Sequence, residues 1–142
     1  MLSGALALAF SAAFTGAAAY INLVEQPARL GLDDRAMLKE WKPSDRRGFA
    51  MLAGLALAAG IVGFVTYQTS GDATWLVGAA VILASWPYLF FVVTPLNNRL
   101  LADVAVGGTL GSRGLVADWG VLEWGVTAIG LCASALFVWP LA

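Results

Sequence analysis

The chain has 142 residues, 60% apolar and 12% charged, with a mean hydropathy of +0.79, a balance far from that of a soluble domain and typical of an integral membrane protein. A net charge of −1 leaves no excess of cations to neutralise phosphates, which argues against a nucleic-acid partner. The absence of histidine excludes histidine-ligated metals and Ser-His-Asp or Cys-His catalysis, and the single Cys132 can form no intrachain disulfide, so it reads as a small apolar filler.

Residues 2–24 form the first uncharged apolar run, long enough at about 1.5 Å per residue to cross a hydrocarbon core of roughly 30 Å. Ala17-Ala18-Ala19 resembles a small-residue cleavage site, but no basic region precedes the run, so the segment is expected to be a retained membrane helix. Ala12 and Gly16 stand at small-xxx-small spacing and are expected to admit a neighbouring helix. The polar residues Asn22, Glu25, Gln26 and Arg29 follow with Pro27 among them. Asp33 can cap a short helix through Trp41, with Met37, Leu38 and Trp41 on one face, expected to lie flat at the membrane interface. Pro43 and Ser44 are expected to turn the chain into a second membrane helix, 48–67, where Gly54 and Ala58 offer another close-approach face.

The short connection Gln68 to Ala73, with Gly71-Asp72 as its turn, predicts antiparallel second and third helices. The third, 74–96, contains Trp86-Pro87-Tyr88 and Pro95, whose rings free the carbonyls of Leu83 and Phe91. A glycine-rich stretch over 102–117 lacks the preceding strand and the lysine of a phosphate-binding loop and reads as a flexible connector. The fourth helix, 119–141, holds Glu123. The fold class is therefore all-α: an integral membrane four-helix bundle with a short interfacial helix in the first charged loop. All eight basic residues lie in the first and third connections, which places those loops in the cytoplasm and both termini outside. Trp75 and Trp139 are then expected in an outer aromatic belt, and Trp41 and Trp119 in an inner one. A parallel repeat is also suggested, since Tyr20 precedes Pro27 by the same spacing as Tyr88 precedes Pro95.

In this topology Asn22, Glu25 and Gln26, Arg46 and Arg47, Asn97, Asn98 and Arg99, and Glu123 converge at the cytoplasmic end. An unpaired carboxylate at the depth of Glu123 is costly, so it is expected either to pair with Arg46 or Arg47 or to serve function. Trp86 and Tyr88 in mid-helix, with Trp119 and Trp124 below, suggest either ordinary packing or the aromatic wall of a pocket for a flat, quinone-like molecule.

The segments Gly16 to Leu30, Glu40-Trp41-Lys42-Pro43-Ser44, Trp86-Pro87-Tyr88 through Pro95-Leu96-Asn97-Asn98-Arg99-Leu100, and Trp119-Gly120-Val121-Leu122 resemble, in order and spacing, the anthrone-oxygenase-like family of small four-helix membrane proteins. The resemblance implies a multi-pass protein of the bacterial inner membrane that oxidises a lipophilic aromatic molecule without metal or cofactor. Where the family usually carries His or Asn and, three residues on, Arg, this chain has Glu123 and Val126. On this reading Glu123, with Glu25 second, removes a proton; Tyr88, Asn97 or Arg99 stabilises the oxyanion; and Trp86, Asn98, Trp119, Trp124 and Asn22 border the substrate. The alternative is a non-enzymatic accessory or self-assembling protein, homo-oligomeric through its small residues, whose polar cluster locks helix ends together. Membrane lipids are its expected surroundings in either case.

Overall fold

The computed structural model describes residues 2–108 and 111–142; Thr109 and Leu110 of the glycine-rich connector lie outside the described residues. Four helices are long and apolar enough to cross a membrane: α1 (Leu2–Leu30), α2 (Asp34–Ser70), α3 (Ala73–Ala105) and α4 (Ser112–Leu141). Joined by short connections, they form an antiparallel bundle in which α1 packs on α2 and α4, and α3 packs on the same two helices from the opposite side.

Apolar surface gains little from leaving lipid, so the apolar half of the bundle is held by close packing. A Cβ at Gly60 would stand 2.5 Å from Leu83, and one at Gly78 would stand 2.5 Å from Phe137, so glycine is what lets these side chains seat. Phe137 also stacks on Trp75 at 5.6 Å between ring centroids. The close-approach faces expected at Ala12/Gly16 and Gly54/Ala58 are not used: a Cβ at Gly16 or Gly54 would meet nothing within 4 Å. Nor do the tryptophans form two belts. Trp75, Trp41 and Trp119 are buried in the core, and of the four only Trp139 is exposed. Their indole area is better matched by aromatic neighbours, with Trp41 edge-on to Trp119 at 6.3 Å.

The largest departure from the sequence reading is α2. The segment from Asp33 to Trp41 is helical, and the Asp33 carboxylate accepts from the Ala36 amide at 2.9 Å as its cap. It is no separate interfacial helix, however, because Pro43 lies inside an uninterrupted helix of 37 residues. Proline removes one donor but does not forbid helix when the residues around it are held by packing. Its continuation, together with the ends of α3 and α4, extends the single hydrophobic core beyond the apolar run 48–67 through Met37, Leu38, Trp41, Leu100 and Val116. The connector is correspondingly shorter than expected, since α3 runs to Ala105 and α4 begins at Ser112.

Pro27 of α1 and Pro95 of α3 are absorbed by widened turns. Residues Ile21–Glu25 and Leu89–Val93 are π-helical, with the Gln26 amide donating to the Ile21 carbonyl and the Thr94 amide to the Leu89 carbonyl. Thr94 Oγ1 also donates to the Leu89 carbonyl at 2.8 Å. Gly71 takes the left-handed conformation (φ 75°) that ends α2, and Asp72 then caps α3 by accepting from Thr74 at 2.9 Å.

Candidate functional site

Where the apolar core meets the charged end, all four helices send polar side chains inward. From α1, Asn22 donates to the Gly120 carbonyl at 3.1 Å and accepts from Thr127 at 2.8 Å. One turn on, Gln26 Nε2 donates to the Val116 carbonyl at 2.8 Å and its Oε1 accepts from Arg29 at 2.9 Å. Gly120 is the residue that permits this, because a Cβ there would stand 2.5 Å from Gln26 Nε2.

Arg29 is the hub. It is 1% exposed, and its guanidinium donates to Glu25 at 2.6 Å, to Glu40 at 2.5 and 3.3 Å and to Ser44 at 3.1 Å, while its carbon lies 5.1 Å from the Trp119 ring centroid. Ser44 also donates to Glu25. From α2 and α3, Asp45 accepts from Asn97 through both carboxylate oxygens at 3.2 Å. Glu123, 3% exposed, faces Asp45, Arg29 and Glu25 as its charged neighbours.

These groups surround a narrow cavity lined by Glu25, Ser44, Asp45, Trp119 and Glu123 with Ile21, Gly48 and Leu89. It leaves about 10 Å³ for the centre of a water molecule, room for about one water. Among the described residues, the indole N–H of Trp41 has no acceptor in bonding geometry, and that of Trp119 is directed towards the Asp45 carboxylate without reaching full hydrogen-bond geometry. Next to the cavity, sharing Ile21, Glu25, Ser44 and Gly48 with it, a groove of about 520 Å³ runs between α1 and α2, bordered by Ala17, Tyr20, Arg47 and Met51. Three carboxylates around a water-sized space, with one guanidinium beside them, form an arrangement that can accept a proton and pass it among neighbours.

Of the residues singled out from the sequence, Asn22, Glu25, Asn97, Trp119 and Glu123 are brought together here. Asn98 and Arg99 point outward, and Trp124 is 47% exposed. Trp86 is 37% exposed and spends its indole N–H on the Ala53 carbonyl at 3.2 Å. Tyr88 donates to the Leu122 carbonyl at 2.6 Å in a recess left by Gly125. The aromatic pocket spanning Trp86, Trp119 and Trp124 is therefore not formed. Arg46 and Arg47 are exposed and do not pair with Glu123; its nearby cation is Arg29. The sequence reading missed Arg29, Glu40, Ser44 and Asp45 as a group. The signal for Asp45 was present, since Trp41, Asp45, Gly48 and Leu52 fall on one face once α2 is continued through Pro43.

Comparison with protein-family models, with curated proteins and with solved structures finds no match to this chain.

Proposed function

We propose that this multi-pass membrane protein is a cofactor-independent oxygenase that removes a proton from a flat, lipid-soluble, enolisable aromatic ketone such as an anthrone. The observation that carries the reading is the water-sized carboxylate cavity at the base of a groove between α1 and α2. The cavity is too small for a ring system, so the substrate lies in the groove and presents only its reacting edge. Glu25, common to both, takes the proton, and one water links it to Glu123 and Asp45. Arg29 keeps the cluster's excess negative charge in place without touching substrate, since all of its nitrogens are engaged with protein acceptors. The carbanion adds dioxygen, the peroxide anion takes back the proton, and loss of water with the second C–H hydrogen leaves a new carbonyl, so that CH2 and O2 become C=O and H2O. The placement of all eight basic residues at the charged end orients that end to the cytoplasm of a bacterial inner membrane.

The test is oxygen uptake and quinone absorbance with anthrone in proteoliposomes. Glu25→Gln is expected to lower turnover by about 10²–10⁴-fold, the usual contribution of a positioned base, with Glu123→Gln next. Absence of turnover by the unaltered chain would overturn the reading.

The saturated hydrogen bonding of Arg29 favours a second reading, a non-enzymatic bundle whose polar layer locks the helix ends. It expects Glu123→Gln to change the unfolding temperature in detergent while no substrate is consumed.

A further inference from the structure

Five of the eight cations, Arg35, Lys39, Lys42, Arg46 and Arg47, lie within thirteen residues of α2. All five are exposed, and none makes an ion pair or side-chain hydrogen bond with another described residue. Arg29 and Arg113 differ: the first is buried in the cluster, and the second is tied to Asp34 and to the Leu30 and Leu32 carbonyls. Lys42, Arg46 and Arg47 meet Pro43 and Ala50 in one surface groove of about 540 Å³ that no carboxylate lines. The nearby acidic residues are turned away, Glu40 to Arg29 and Asp45 to Asn97.

Below Arg46 the same face of α2 continues as Ala50, Gly54, Leu57, Ile61 and Phe64, at intervals of three and four residues, all exposed. A cation-rimmed groove thus opens onto an apolar stripe about 21 Å long at the helical rise of about 1.5 Å per residue, enough for one acyl chain across a leaflet of roughly half a 30 Å core. The switch from Arg47 to Gly48 is where the charged segment ends and the apolar run begins, the level of lipid phosphates. We infer that this face of α2 is a binding site for an anionic phospholipid, with its phosphate between Lys42, Arg46 and Arg47 and an acyl chain along Ala50 to Phe64.

The experiment is native mass spectrometry of the full chain released from mixed POPC and POPG vesicles. The unaltered protein should retain POPG over POPC, and Lys42→Gln with Arg46→Gln should weaken that preference by about fivefold per cation removed. Arg35→Gln, about 10 Å along the helix from Lys42 and about 16 Å from Arg46, at or beyond the screening length, should change it by less than about twofold. Equal retention of the two lipids by the unaltered chain would overturn the inference. So would an equal loss in Arg35→Gln, which would indicate diffuse charge attraction, or displacement of POPG by inorganic phosphate alone, which would make the phosphate rather than the lipid the occupant.

Discussion

α1 and α3 each carry a π turn that starts just after a tyrosine and ends two residues before a proline: Tyr20, Ile21–Glu25 and Pro27 in one, Tyr88, Leu89–Val93 and Pro95 in the other. The cause is shared. Proline cannot donate to the carbonyl four residues back, and its ring crowds that carbonyl, so the preceding turn widens by one residue and the segment beyond it rotates by on the order of 100°. The outcomes diverge. After the first turn the inward positions are Gln26 and Arg29, with Asn22 inside the turn itself; after the second they are Leu96, Asn97, Leu100 and Asp103, with Asn98 and Arg99 left outside. A backbone irregularity re-aims a helix face, but the residues that happen to occupy that face decide what it brings inward: a buried cation after the first turn, and amide and carboxylate groups among leucines after the second.

The largest effect expected from this comparison is at the two arginines that follow the turns. Arg29→Met leaves Glu25, Glu40 and the cavity carboxylates without their cation, and should cost about 3–5 kcal/mol in unfolding measured in detergent. Arg99→Gln should stay within about 0.5 kcal/mol, because its side chain is exposed. Equal costs at the two sites would dissolve the distinction between the turns. The amides sharpen it further: Asn22→Leu removes the closer acceptor of the Thr127 hydroxyl and the donor to the Gly120 carbonyl at a buried helix contact and should cost about 1–3 kcal/mol, whereas Asn98→Leu should be near neutral. Tyr88→Phe removes one hydrogen bond, to Leu122, and should cost about 1 kcal/mol while leaving oxygen uptake with anthrone unchanged, since the hydroxyl is committed to backbone and Tyr88 does not line the cavity.

The smallest effect is at the opposite end of the bundle. The Asp72 carboxyl is held below its ordinary value chiefly by the hydrogen bond from the Thr74 backbone amide. The stability this gives is fully present above the unfolded-state carboxyl range and is lost as pH falls through the depressed native value. Asp72→Asn should therefore flatten the acid side of a stability profile without altering its shape at neutral pH, and an unchanged acid limb would show that the cap is not coupled to folding.

Four crossing segments, the capping role of Asp33 and the antiparallel turn at Gly71-Asp72 were legible from residue pattern alone, because apolar run length, cap chemistry and turn residues are local properties. So was the gathering of Asn22, Glu25, Asn97 and Glu123 at one level, which follows from counting residues along antiparallel helices. The repeated proline spacing was visible too, though not the π turns that it produces. Tertiary structure decided the rest. Whether Pro43 ends a helix depends on the packing of Trp41, Asp45 and Leu52 on either side of it, and only a continuous α2 carries Asp45, Ser44 and Glu40 to Arg29. Depth along a helix can be counted from sequence, but azimuth cannot once a π turn intervenes. For that reason the chain by itself specified the polar layer, and only the folded bundle decided that Arg29 stands at its centre and that Trp86, Arg99 and Trp124 face outward.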